Sequence, residues 1–121
     1  MITLDLPWPP STNTYWRHPT KGPLAGRHLI SEKGRAYRNE VMAFVLQARA
    51  AKRLGGSLTV TIDAFPPDRR KRDLDNLLKS LLDALTHAGV IEDDGCIDQL
   101  SITRGPVTAP GSVFVAITRK E

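Results

Sequence analysis

Leu74-Asp75-Asn76-Leu77-Leu78-Lys79-Ser80-Leu81-Leu82-Asp83-Ala84-Leu85 is the most informative run in this 121-residue chain. Its leucines recur at i, i+3, i+4, i+7, i+8 and i+11. That spacing makes one apolar stripe along a helix of 3.6 residues per turn, so the run predicts a helix packed on a core. The helix should start near Asp73 or Leu74, with Gly89 as the residue that ends it. Asp75, Lys79 and Asp83 are four apart and share a flank beside the leucines.

Upstream, Leu58, Val60, Ile62 and Ala64 alternate with Thr59, Thr61 and Asp63, which predicts a half-buried strand closed by Pro66-Pro67. Before it, Ser31 is placed to cap a second helix. Tyr37, Val41, Phe44, Val45 and Ala48 carry that helix to about Leu54, and Gly55-Gly56 stops it. Ile2, Leu4 and Leu6 alternate as a first strand, ended by Pro7, Pro9 and Pro10. Residues 7–30 read as a long loop bearing Arg17, His18, Lys21, Arg27 and His28. Downstream, strands are expected at about 97–104 and 112–119, with 105–111 joining them as a loose hairpin. The order is β-α-β-α-β-β. Strands and helices mix without strict βαβ alternation, which predicts an α+β fold, a mixed sheet with two main helices, in a small single domain over residues 1–121.

Apolar residues make up 40% and charged residues 25%, a balance that supports a packed core. No apolar run approaches the ~20 residues of a membrane span. The lone Cys96 forms no internal disulfide, and the first residues lack the regions of a signal peptide; a cytoplasmic setting follows as the expectation. A chain this short covers its core poorly alone, which favours a dimer.

The charge is divided. Residues 1–72 hold 13 Lys/Arg and 5 Asp/Glu, net +8, while residues 73–121 hold 4 and 8, net −4. Eight of the 13 acids lie between Asp68 and Asp98. A basic surface attracts a polyanion. An acidic cluster repels one unless a cation stands between them.

The two characters meet at Asp68-Arg69-Arg70-Lys71-Arg72-Asp73-Leu74-Asp75-Asn76. Two carboxylates open a helix whose N-terminal partial charge stabilises anions. A second acidic group, Glu92-Asp93-Asp94 and then Asp98, follows the helix. It reaches Asp75 only if residues 90–94 return along the sheet, and spacing leaves that open. Several carboxylates beside a basic surface suit Mg²⁺, which takes hard oxygen ligands together with substrate phosphate oxygens. Such a metal generates a nucleophile from water, and Lys79 is suited to stabilise the charge on the phosphate or the leaving oxygen. Arg69, Arg70, Lys71 and Arg72 suit flanking phosphates. Plainer roles stand beside these: Asp73 as a helix cap, Asp75 and Lys79 as an i,i+4 ion pair, Glu92–Gly95 as a polar turn, Asp83 in a structural bond. Trp8, Tyr15 and Trp16 fit base stacking or core packing alike. The histidines show no zinc-ligand spacing.

The run from Asp68 to Leu77, with Lys79, Asp83-Ala84-Leu85 and Asp93-Asp94 downstream, resembles the RusA family of small Holliday junction resolvases. Leu6-Pro7-Trp8-Pro9-Pro10-Ser11, Asn13, Arg17-His18, Ser31, Gly34 and Ala36-Tyr37-Arg38 resemble the same family, so the likeness covers nearly the whole chain. The longer stretch from Pro19 to Leu29, and Gly95-Cys96 after Asp94, depart from its pattern. The resemblance implies a homodimeric, Mg²⁺-dependent endodeoxyribonuclease that resolves four-way DNA junctions by paired nicks; whether Mn²⁺ substitutes for Mg²⁺ stays open in the sequence. It implies no small-molecule cofactor and no membrane. It implies Asp73, Asp75 and Asp94 as metal-binding catalytic carboxylates and Lys79 as the catalytic lysine. Arg69–Arg72 and Arg17, His18, Lys21 and Arg27 would contact DNA. One carboxylate cluster per chain and two symmetric nicks also suit a twofold dimer. Two other readings stay open at this level: a non-catalytic nucleic-acid-binding module, and a metal-dependent nuclease of other branched or duplex DNA.

Overall fold

A computed structural model describes residues 1–27 and 29–120, so His28 lies outside the described residues. Strand β1 (Ile2–Pro7) is followed by a short helix α1 (Thr12–Tyr15) and by β2 (Trp16–Arg17) and β3 (Leu29–Ile30). Then come α2 (Glu32–Gln47), β4 (Leu58–Phe65), α3 (Asp75–His87), a 3₁₀ turn (Asp94–Cys96), β5 (Ile97–Arg104) and β6 (Ser112–Arg119). The fold is α+β on a mixed sheet of order β1-β6-β4-β5. No described helix is long and apolar enough to cross a membrane.

Central β4 explains the layering. Leu58, Val60, Ile62 and Ala64 are all buried; Val60, Ile62 and Ala64 lie beside buried Ile117, Val115 and Val113 of β6, which in turn pair with β1 and its buried Leu4 and Leu6. Helices α2 and α3 cover that face with Tyr37, Val41, Val45, Leu77, Leu81 and Leu85. The leucine stripe therefore packs as its spacing predicts. Gly89, at φ 79°, supplies the left-handed residue that ends α3. Ser31 caps α2 by accepting the Gly34 N–H at 3.0 Å.

Three local expectations are corrected. Helix α2 ends at Gln47 rather than near Leu54, because Arg49 takes φ 54° and closes it before the glycines are reached. The loop over 7–30 is built rather than plain: α1 and the β2–β3 pair fold it back, and the Ser31 N–H bonds the Tyr15 carbonyl at 2.9 Å. Strands β5 and β6 do not form a hairpin. Central β4 lies between them, antiparallel to β6 and parallel to β5. Parallel pairing needs a crossover, and α3 provides it.

Tyr15 is fully buried where α1, α2 and α3 meet. Its hydroxyl donates to Asp83 of α3, and Arg38 of α2 donates to the same carboxylate at 2.7 Å and to the Tyr15 oxygen at 3.0 Å. Burial raises the Tyr15 phenol above its ordinary range, and the Asp83 carboxylate adds to that. Burial alone would lower Arg38, but its bonds to Asp83 and Tyr15 prevail and hold it further up. Asp83 thus has the structural role that its helical position allowed. Gly34 lies against this junction: a Cβ there would stand 2.5 Å from the Tyr15 carbonyl and 2.8 Å from Ile30 Cγ2.

Candidate active site

The basic run leaves β4 through Pro66-Pro67 and folds around one acid. Asp68 accepts the Arg70 N–H at 2.9 Å and the Arg72 guanidinium at 2.8 Å. These bonds, Arg72 first, pull the Asp68 carboxyl below its usual range. The Arg72 guanidinium also lies 5.7 Å from the centre of the Trp8 ring. Arg104 at the end of β5 donates to the Arg72 carbonyl. The four cations are therefore unequal: Asp68 engages Arg70 and Arg72, whereas Arg69 and Lys71 stand exposed with no ion pair among the described residues.

The chain then enters α3. Leu74 is already helical, and the Asn76 and Leu77 amides bond the Asp73 and Leu74 carbonyls. The Asp73 side chain makes no capping bond, so the cap expectation is not met. Asp75 stands in the first turn, where the helix favours negative charge. It forms no ion pair with Lys79. Among the described residues no hydrogen bond or ion pair engages the side chains of Asp73, Asp75, Lys79 or Asp94, and all four are exposed.

A cleft of about 500 Å³ opens there, lined by Trp8, Ser11, Asn13, Lys71, Arg72, Asp73 and Asn76. A neighbouring hollow of about 480 Å³ is lined by Thr12, Asn13, Trp16, His18 and Lys79. Asn13 borders both. Two bonds seat the N-terminal arm on α3: Thr12 Oγ1 donates to the Asn76 carbonyl at 3.0 Å, and the buried Ser80 hydroxyl donates to the Pro10 carbonyl at 2.7 Å. Arg17 lines a separate hollow with Arg35 and Arg38, and Lys21 and Arg27 are exposed on the arm, bordering neither cleft.

Periodicity missed Trp8, Ser11, Asn13 and Asn76 as cleft residues. For Trp8 the aromatic ring was itself a signal, fit for base stacking; for Ser11, Asn13 and Asn76 the signal was present only as likeness, each lying in a stretch that resembles the resolvase motifs.

Asp94 is not with the other two. It precedes β5, whose Ile97 pairs with Leu58 at the start of β4, whereas Asp73 follows the end of β4. The 13 residues of α3 span the interval, about 20 Å at 1.5 Å per residue. The return of residues 90–94 toward Asp75 does not occur within the protomer, because a parallel crossover leaves the helix end and the next strand start at the same pole. Among the described residues no three His, Cys, Asp or Glu side chains are grouped to hold a metal ion. Asp73 and Asp75 are hard-oxygen donors without partners among the described residues and suit Mg²⁺ chemically.

Residues 7–118 match the family model described as Endodeoxyribonuclease RusA. The chain is 40% identical over 116 residues to the crossover junction endodeoxyribonuclease RusA of Enterobacteria phage HK97 and to that of Escherichia coli strain K12. Each alignment covers 96% of this chain and 92% of the relative. The phage 82 protein of the same name is 40% identical over 115 residues, with 95% and 92% covered.

Proposed function

This chain belongs to the RusA family of endodeoxyribonucleases, and from that premise we propose that it resolves four-way DNA junctions by hydrolysing phosphodiester bonds at the cleft that opens α3. One observation carries the reading. Asp73 lines a cleft together with Lys71 and Arg72, Asp75 follows it in the first turn of α3, and neither carboxylate has a partner among the described residues. Two bare carboxylates in an electropositive setting are costly for binding a polyanion, unless a cation is recruited between acid and phosphate.

Asp73 and Asp75 would hold Mg²⁺ or Mn²⁺, with Asp94 contributed by a second copy in a homodimer, since its own copy keeps it at the far end of α3. When bound, the ion lowers the pKa of water and offsets charge on the scissile phosphate. The protein's own groups do the rest. Arg69 and Lys71 engage backbone phosphates. Arg70 and Arg72, partly neutralised by Asp68, shape the loop more than they add charge. Lys79, without an ion-pair partner, offers its ammonium to the phosphate or the departing oxygen. Trp8, Asn13 and Asn76 border the place where the flanking nucleotides lie. Arg17, His18, Lys21 and Arg27 give the arm its affinity for DNA.

The test compares a synthetic four-way junction with a matching duplex, each in Mg²⁺ or EDTA, for wild type and Asp75→Asn. Cleavage restricted to the junction, to Mg²⁺ and to wild type supports the reading. Binding without cleavage by wild type would leave a non-catalytic module. Equal cutting of the duplex would leave a nuclease of broader specificity.

A further inference from the structure

The stretch from Pro19 to Leu29, which departs from the family pattern, helps build a hollow that the cleft does not use. The β2–β3 pair closes its base, Trp16 against Ile30 and Arg17 against Leu29. Beyond that base the chain turns back on itself. The Gly26 N–H bonds the Pro19 carbonyl at 2.9 Å, and the Ala25 N–H bonds the Gly22 carbonyl at 3.1 Å. Gly22 and Gly26, at φ 82° and 81°, supply the left-handed positions of these turns. The loop holds Leu24 outward, 37% exposed. Leu24 borders a hollow of about 540 Å³, a size in the usual range for a small ligand.

The lining has two characters. Trp16, Leu24, Leu29 and Ile30 form its apolar part. The Trp16 ring stands edge-on to Tyr15, with centroids 5.1 Å apart and planes at 80°. Tyr15 is itself fully buried and bonded to Asp83, so the indole has a fixed support. Arg17, Arg35 and Arg38 form the cationic part, and no acid lines the hollow among the described residues. Asp83 matches the charge of Arg38. Arg17 and Arg35 have no ion pair among the described residues. The Arg35 guanidinium donates to the Ile30 carbonyl at 2.9 Å, which places it at the hollow without neutralising it. A supported indole, an aliphatic wall and two unmatched guanidiniums suit a flat ring joined to a phosphate.

Position selects the ligand. Trp16 also lines the hollow of Lys79, and Asn13 joins that hollow to the cleft of Asp73. The three spaces follow one another around the arm. A strand whose phosphate meets Lys79 continues past Trp16. We propose that the third hollow receives one unstacked nucleotide of the bound DNA, its base against Trp16 and Leu24 and its phosphate on Arg17 and Arg35. This rests on the reading that the cleft cuts DNA, and it adds a subsite that selects branched substrates. Swinging a base out of an intact duplex costs its stacking and pairing, whereas a base at a branch point has already lost a neighbour.

The experiment is run in EDTA, so that binding is read and not cleavage. 5-Iododeoxyuridine is placed at successive positions about the crossover of a synthetic four-way junction. The complex with the full chain is irradiated and the linked peptide mapped. One position should link to Trp16. An abasic residue at that position should weaken wild-type binding roughly 5–150-fold, the range for one lost base–aromatic stack. Trp16→Ala should lose as much on the intact junction, and Leu24→Asp should bind intact and abasic junctions alike. Arg35→Ala should lower the slope of log K against log salt by about 0.7, as for one single-strand phosphate. If Trp16→Ala does not fold, Leu24→Asp, on the exposed loop, decides. No link to Trp16 at any position overturns the proposal, as does an abasic junction bound as well as the intact one, or a Leu24→Asp protein that still tells them apart. So does loss of the Trp16 link to micromolar thymidine 5′-monophosphate, which would assign the hollow to a free nucleotide. A Trp16 link on a junction that is never cut in Mg²⁺ would defeat the nuclease reading alone. Junction cutting without that link would defeat only the subsite.

Discussion

Arg38 on α2 and Asp83 on α3 form a 2.7 Å ion pair, and the Tyr15 hydroxyl completes the same carboxylate. One helical turn from Asp83 stands Lys79. The junction thus ties the arm and α2 to the helix that presents the candidate lysine. Asp83→Ala should cost about 2–3 kcal/mol, below a fully buried pair because both side chains retain some exposure. Tyr15→Phe should cost about 1 kcal/mol. Urea unfolding of Arg38→Ala, Asp83→Ala and the double variant should give a non-additive cycle.

Asp73→Asn and Asp75→Asn should each reduce Mg²⁺-dependent cleavage by more than the ~10–100-fold typical of losing an outer-shell metal partner. Junction affinity in EDTA should hold or rise, since a charge that repels phosphate is gone. Gel shift beside single-turnover cleavage reads both; weakened binding would assign these acids to folding.

Asp75→Asn and Asp94→Asn, each inactive alone, should regain nicking when mixed and allowed to exchange subunits. In a mixed dimer one site keeps Asp73, Asp75 and the opposite Asp94 all intact. No recovery in a population shown to exchange would return the third ligand to the same copy.

Lys79→Ala should slow cleavage more than it weakens binding. Arg69→Ala and Lys71→Ala should do the reverse, each lowering the slope of log K against log salt by about 0.9 for every phosphate left without its cation. Arg70→Ala should change that slope less, because Asp68 already offsets its charge.

Stability should fall on the alkaline side. The Tyr15 and Tyr37 phenols are both raised above their ordinary value, chiefly by burial. A raised acid contributes stability that is present below the unfolded pKa, about 10, and lost as pH climbs past it. Unfolding midpoints followed upward from pH 9 should drop, and Tyr15→Phe should flatten the drop.

The leucine spacing from Leu74 to Leu85 makes α3 readable, and alternation makes β1, β4, β5 and β6 readable as strands. Alternation states which residues face a core but not which strand lies alongside. That is why β5 and β6, joined by residues 105–111 alone, read as a hairpin and yet do not pair. The same ignorance of neighbours hides the separation of Asp94 from Asp75. Arg49 ends α2 with no glycine to announce it. Asp73 and Asp75 are legible because charge and helix start coincide in sequence. The arm residues around the cleft are not, because their meeting with α3 depends on bonds such as Thr12 to Asn76, across 64 positions.

Gly34 touches neither acid nor lysine, yet the arm carrying Asn13 and Trp16 rests against its bare Cα through Ile30 and the Tyr15 carbonyl. Adding one methyl there lifts the arm from beneath. The seat of the arm that borders both hollows thus depends on a missing side chain at the root of another helix, a position that carries no charge and no chemistry of its own.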